Sequence, residues 1–206
     1  VNGTSHGLDE GSWKDNANVW QNTVVNIAAE PKHLKEGLAD EFSFATQLLE
    51  DTVNNATQER TLSTIRTSAT TGYYLDIFRS KSHGENKFHD YIYHNIGDST
   101  HILDSNNQKI ALQKTDRYEN DIGDVTKSPG WRYFEATQST KAIDEAVKVR
   151  FDVEYDDRYM HLFVPEGVSR AYTKALAPPT REAKNGYLNK KTQVLAIRQE
   201  GEAWNR

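Results

Sequence analysis

The stretch YYLDIFRSKSHGENKFHDYIYHN, residues 73–95, gathers three histidines, two aspartates and six aromatic residues. These are side-chain types that bind metals, move protons and stack on sugars. Two readings are open: a metal or acid–base site, or two neighbouring strands that carry histidines for structural reasons. In a strand over 88–95, Phe88, Asp90, Ile92 and His94 share one face, and His89, Tyr91, Tyr93 and Asn95 share the other. His89 and His94 therefore leave opposite faces. Asp90 and His94 share a face but sit about 13 Å apart at roughly 3.3 Å per residue. Zinc holds its nitrogen and oxygen donors within about 2.0–2.2 Å, so this strand alone predicts no metal site. For His89 and His94 the structural reading is hydrogen bonding to a neighbouring strand, with Asp76 as a candidate partner. The other reading is a binding or catalytic role. His83, in the polar loop with Gly84 and Asn86, reads as solvated.

The elements that must position these residues are mostly strands. In AVKVRFDVEY (146–155), Val147, Val149, Phe151, Val153 and Tyr155 alternate with Lys148, Arg150, Asp152 and Glu154. That pattern predicts one buried and one wet face. The short polar turn Asp156–Asp157–Arg158 leads into YMHLFVPEG (159–167), so the two segments predict a hairpin. Further strands are predicted over 22–28, 59–68, 72–80, 88–95, 108–114 and 191–198, separated by Gly-, Ser-, Asn- and Pro-rich turns. Helix is scarce: a turn or two within 34–53 and a weak candidate in KAIDEA (141–146). Many short strands of even spacing predict an all-β fold, an antiparallel two-sheet β-sandwich with little helix, as a single domain over residues 1–206.

Composition narrows the function classes. The chain of 206 residues is 36% hydrophobic and 27% charged, and its 10 Tyr, 7 Phe and 4 Trp give it enough to bury. A formal charge of −5 gives no electrostatic reason to expect nucleic acid or an anionic membrane as partner. No apolar run approaches the length of a membrane-spanning helix. The absence of cysteine excludes a disulfide framework, a thiolate zinc site and a cysteine nucleophile. The sequons at Asn2 and Asn55 are short enough to arise by chance. GxSxG, HExxH, P-loop and GxGxxG motifs are absent. Carboxylates are scattered, and nothing marks Glu154 and Asp156 as a glycosidase dyad. Residue chemistry by itself leads to a β-sandwich without an assigned activity.

A resemblance adds to this. The segments ERTLSTIRTSATTGYYLDIFRSKS (59–82) and HDYIYHNIGD (89–98) resemble the C-terminal β-rich half of heparinase II/III-like polysaccharide lyases. WQNTVVNI (20–27) is similar to that family's HNTVLVDG strand, and LAPPTREAKNGY (176–187) and VLAIRQEGEAWNR (194–206) resemble strands near its end. The resemblance implies a large α/α-toroid ahead of the sandwich, with an acidic, uronate-containing polysaccharide held in the cleft between them. It implies cleavage by β-elimination: a Tyr or His removes the proton α to the uronate carboxylate, and a neutralising group stabilises the enolate-like charge.

Carried onto this sequence, the catalytic candidates are His89, His94 and Tyr91, and the substrate-binding candidates are Trp20, Gln21, Asn22 and Arg79. Where the family strand often begins with a histidine able to ligate a metal, this chain has Gln21, a poorer zinc donor. No metal or other cofactor is therefore expected within this chain, and a zinc or calcium ion would belong to a longer protein. No run of amphipathic helices supplies the toroid. With Val1 in place of an initiator Met and a strand-like end, the chain is expected to be the C-terminal part of a longer lyase, cut at both ends. Its expected partners are an acidic polysaccharide and the toroid, in the same or a companion chain, with neither nucleic acid nor membrane; its expected location is periplasmic or secreted, in a bacterium. The competing reading is a non-catalytic carbohydrate-binding or structural sandwich. In it Trp13, Trp20 or Trp131 stack on sugars, unless they serve as packing.

Overall fold

The computed structural model describes residues 23–204, apart from 53–54, 119–132, 181–182 and 184–185. Its contacts sort the chain into two compact units, Val1–His89 with Gly201–Arg206, and Asp90–Glu200. Strand dominates both, as the alternating sequence predicts, and the sheets are antiparallel throughout. Among the described residues no helix is long and apolar enough to cross a membrane.

The first unit is a four-stranded meander of β1 (Thr23–Glu30), β2 (Phe42–Asp51), β3 (Ala56–Arg66) and β4 (Gly72–Ser82), in that order. Strand β2 corrects the helical turns expected within 34–53. Phe42, Phe44, Thr46 and Leu48 occupy alternate positions on one face of a ladder running from Phe42↔Ile65 to Asp51↔Ala56. Pairing on both sides satisfies its backbone in a way that a short isolated helix could not. Tyr73, Leu75 and Ile77 of β4 lie on the same face as Phe42. These four side chains remain 41–52% exposed. The end of the chain returns to this unit, where Ala203 and Ser80 exchange backbone hydrogen bonds of 3.0 and 3.1 Å. The Lys81 ammonium stands 4.6 Å from the centre of the Trp204 ring.

The second unit is a two-sheet sandwich. It takes in β5 (Phe88–Asn95) from Asp90 onward, β6 (Ser99–Leu103), β7 (Gln113–Lys114), β8 (Glu135–Ser139), β9 (Val147–Val153), β10 (Arg158–Val164), β11 (Arg170–Pro179) and β12 (Lys191–Glu200). One sheet runs β10-β9-β6 and the other β5-β12-β11-β8-β7. The predicted hairpin pairs Arg158 with Val153 through to Val164 with Val147. A 3-10 turn at Glu154–Asp156 closes it, with Asp157 in the left-handed region. Val147, Val149 and Phe151 point inward beside Ile102 of the same sheet and are joined by Tyr172, Leu195 and Ile197 from the facing sheet. The turn breaks the alternation before Tyr155, which is 65% exposed rather than inward.

A second cluster, Tyr118, Phe134, Ala175, Ala177, Val194 and Ala196, covers the other face of the five-stranded sheet. Burial on both faces explains why β12 reads as a nearly continuous apolar run, QVLAI, without alternation. Three expectations need correcting here. Of 108–114 only Gln113–Lys114 forms a strand, with Lys109 bridging to Leu103 nearby. KAIDEA forms no helix, because Ile143 instead exchanges two backbone hydrogen bonds with Arg170. Strands β6, β8 and β11 were not foreseen as strands.

Candidate functional site

The structure separates the predicted site residues. His89 is only 4% exposed. Its Nδ1 lies 2.7 Å from Ser80 Oγ, and its Nε2 lies 2.9 Å from Asn86 Oδ1. An amide oxygen only accepts, so Nε2 carries the hydrogen and the Ser80 hydroxyl donates to Nδ1. Asn86 also accepts from the Ser82 amide and donates to the Ser82 carbonyl. Asp76, the partner expected from sequence, instead holds Arg60 through two hydrogen bonds of 3.0 and 2.6 Å. The geometry decides this: Asp76 is directly opposite Leu62 in the ladder, one row from Arg60 and Phe78.

His94 leaves the opposite face of β5, is exposed, and meets the edge of the Phe134 ring at 5.7 Å. Burial of part of its ring lowers its pKa, so it is a neutral proton acceptor at pH 7. Tyr91, on the His89 face, leans on the sandwich core. On the His94 face, Asp90 and Arg198 form a bidentate pair with both hydrogen bonds at 2.7 Å. Arg198 also lies 5.2 Å from the centre of the Tyr118 ring. Arg79 pairs with Glu59 at 3.3 Å. His83 is half-exposed but anchored as well as solvated: its Nε2 is 2.8 Å from Thr57 Oγ1, which donates to Glu50. Trp13, Trp20, Gln21, Asn22 and Trp131 lie outside the described residues. Among the described residues no three His, Asp or Glu side chains converge as metal ligands would.

A richer arrangement lies on the outward face of the three-stranded sheet, where sequence reasoning placed only wet positions. Register sets it in rows: Ser99–Asp152–Tyr159, then His101–Arg150–His161, then Leu103–Lys148–Phe163. Asp152 accepts from Ser99 Oγ at 2.8 Å and from Arg150 Nε at 2.5 Å, and it lies 3.0 Å from His101 Nε2. Burial alone would raise the Asp152 pKa, but the Ser99 and Arg150 hydrogen bonds, helped by the Arg150 charge, hold it below the usual carboxylate value.

Asp152 in turn fixes Arg150, whose guanidinium sits 4.5 Å over the Tyr159 ring. Along β10, Tyr159 and His161 are 4.9 Å apart between ring centres, and His161 and Phe163 are 5.6 Å apart. Tyr159 and Phe163 are exposed at 59% and 70%. Burial first, then the charges of Lys148 and Arg150, lower the His161 pKa against the pull of Asp152, which keeps the ring neutral at pH 7. Beyond Phe163 an open cleft of about 310 Å³ continues past Lys148 and Pro165. A row of exposed rings flanked by two cations offers stacking surfaces for sugar rings and charge for their anionic substituents. The signal legible in sequence was the alternation Tyr159, His161, Phe163; the strand-to-strand register that adds Arg150 and His101 was not.

The chain is an antiparallel β-protein whose second unit carries an exposed aromatic and cationic strip. No protein-family profile matches the chain. An endo-acting ulvan lyase from Formosa agariphila is 66% identical to it over all 206 residues, and the chain spans about 25% of that enzyme's length. The chain is thus closely similar, from end to end, to one part of a polysaccharide lyase.

Proposed function

We propose that this chain is the β-sandwich portion of a heparinase II/III-like polysaccharide lyase that cleaves uronate-bearing polysaccharide by β-elimination, and that it needs an α/α-toroid to be active. The carrying observation is the 66% identity to an endo-acting ulvan lyase, sustained over every residue of the chain. The exposed Phe42, Tyr73, Leu75 and Ile77 of the first unit add support, since a sheet face this apolar is stabilised by further protein. In this reading His94, neutral and open to solvent, accepts the proton α to the carboxylate, and the leaving glycosidic oxygen departs to give a 4,5-unsaturated uronate. His89 and Tyr91 hold the strand that presents it. A periplasmic or secreted location accords with this reading, since a polymeric substrate is met outside the cytoplasm.

The test is ultraviolet absorbance of the unsaturated product from ulvan, alginate and heparin, with the 206-residue chain alone and with a longer protein that adds the toroid. The chain alone releases nothing, because a base and a neutralising group must grip one sugar together, and misplacement by about 1 Å costs roughly 10²-fold. The longer protein releases product, and His94→Ala abolishes it. A second reading, a non-catalytic saccharide-binding module, is favoured by the Tyr159–His161–Phe163 strip. It prevails if the longer protein binds these polymers and cleaves none.

A further inference from the structure

The net charge of −5 makes any concentration of unpaired cations informative. One occurs in the second unit, away from the aromatic strip. An open cleft of about 340 Å³ is lined by Lys114, Arg117 and Lys141, with Ser139 and Thr140 along one wall and Glu200 as its one carboxylate. Arg198 also reaches this lining, but its charge is committed to Asp90. The volume falls at the lower end of the about 300–1,000 Å³ usual for small-molecule sites, enough for one or two sugar units.

The walls are fixed. Lys114 lies opposite Gln138 in the β7–β8 ladder. Thr137 Oγ1 donates to the Thr115 carbonyl at 2.5 Å, and the Thr115 hydroxyl accepts from the Arg117 amide at 3.1 Å. Lys141 follows Thr140, whose amide is bonded to the Tyr172 carbonyl at 2.9 Å. No hydrogen-bond or ion-pair partner engages the Lys114, Arg117 or Lys141 side chains among the described residues; Lys148, Arg150, Lys190, Lys191 and Arg198 of the same unit are engaged, and Lys109, Arg158 and Lys174 are free but do not line this cleft. Three free cations around one concavity, against a single carboxylate, attract an oxyanion, and the planar Arg117 can grip it with two parallel hydrogen bonds.

We propose that this cleft is a saccharide subsite in which Lys114, Arg117 and Lys141 seat an oxyanion carried on a sugar, either a sulfate ester or a carboxylate. The choice of a sugar as carrier rests on the lyase reading; the oxyanion chemistry does not.

The experiment measures binding of the 206-residue chain to dextran sulfate (ester only), alginate oligosaccharides (carboxylate only) and neutral dextran, by calorimetry at low and moderate salt. The parent binds at least one of the two polyanions and not dextran, and the polyanion it prefers names the oxyanion. Combined Lys114→Gln, Arg117→Gln and Lys141→Gln substitutions weaken that binding about tenfold or more and flatten its salt dependence. The charge-matched control Lys32→Gln, Lys35→Gln and Lys109→Gln, none of which lines the cleft, leaves it within about twofold. Binding of dextran as tight as of the polyanions overturns the proposal. So does an absence of polyanion binding, an undiminished triple variant, or an equal loss in the control. Failure of the longer protein to cleave polysaccharide bears on the lyase reading alone and leaves these outcomes readable.

Discussion

Removing Asp90 tests how β5 is held. Its carboxylate and Arg198 form two hydrogen bonds of 2.7 Å, and the side chains are 8% and 12% exposed. Asp90→Ala leaves the guanidinium nearly buried, with the Tyr118 ring 5.2 Å from it as partial compensation. Breaking one side of such a pair costs about 3–5 kcal/mol, because the stranded charge has lost its water without replacement. At about 2–4 °C per kcal/mol for a chain of this size, melting falls by roughly 6–20 °C. Circular dichroism follows the melt, and hydrogen exchange at the amides of β5 and β12 localises the loss to the second unit. Replacing both partners, Asp90→Leu with Arg198→Met, recovers most of the stability, since neither leaves an unpaired charge. A loss below about 1 kcal/mol for Asp90→Ala, the range of an exposed ion pair, refutes the reasoning.

Three further outcomes are expected. Val149→Asp places a carboxylate where the native side chain is 0% exposed, costing several kcal/mol; a cooperative melt near the parent's contradicts the inward register. Tyr159→Ala and Phe163→Ala together weaken affinity for the polysaccharide, by about 1 kcal/mol or more if the rings stack on sugar, and unchanged affinity by gel retardation removes the strip from the site. Acidification destabilises the fold in two steps. The lowered pKa values of His94 and His161 mean that the unfolded chain takes up protons first as pH falls through about 6.5. Those of Asp98, held by Lys190 and Tyr187, and of Asp152 remove stability as pH falls below about 4. Melting temperature against pH reads both steps, and the first disappears in a His94→Gln, His161→Gln variant.

Legibility in the sequence followed periodicity and turns. Strand β9 was readable because Val147, Val149 and Phe151 alternate with Lys148, Arg150 and Asp152, β10 because a short polar turn leads into an apolar and aromatic run, and β5 because of its aromatic content. Strand β2 was misread because FSFATQLLED, preceded by LADE, satisfies a helical spacing nearly as well as an alternating one, and only its two neighbours decide. Strand β11 hides in small residues, Ala171, Ala175 and Ala177, whose value lies in letting Tyr118 and Phe134 lie close over the sheet. The candidate site was legible only in part. Tyr159, His161 and Phe163 stand in one predicted strand, yet His101 and Asp152 meet only because β6 pairs with β9. The cations of the cleft likewise come from two segments, Lys114 and Arg117 from one and Lys141 from the other, that the pairing of β7 with β8 draws together.

The position of β12 has a consequence for how the protein is made. It lies between β5 and β11, although β5 ends at Asn95 and β12 begins only at Lys191. On a ribosome adding about 5–20 residues per second, β5 emerges some 5–20 seconds before the strand that completes its ladder. Through that interval its backbone edge is an open template, and Tyr91 and Tyr93 face a core cluster that still lacks Leu195 and Ile197. Nascent chains released before Glu200 therefore expose an unpaired aromatic strand. Truncation upstream of β12 should yield aggregates or chaperone-bound material, even though most of the strands are already present.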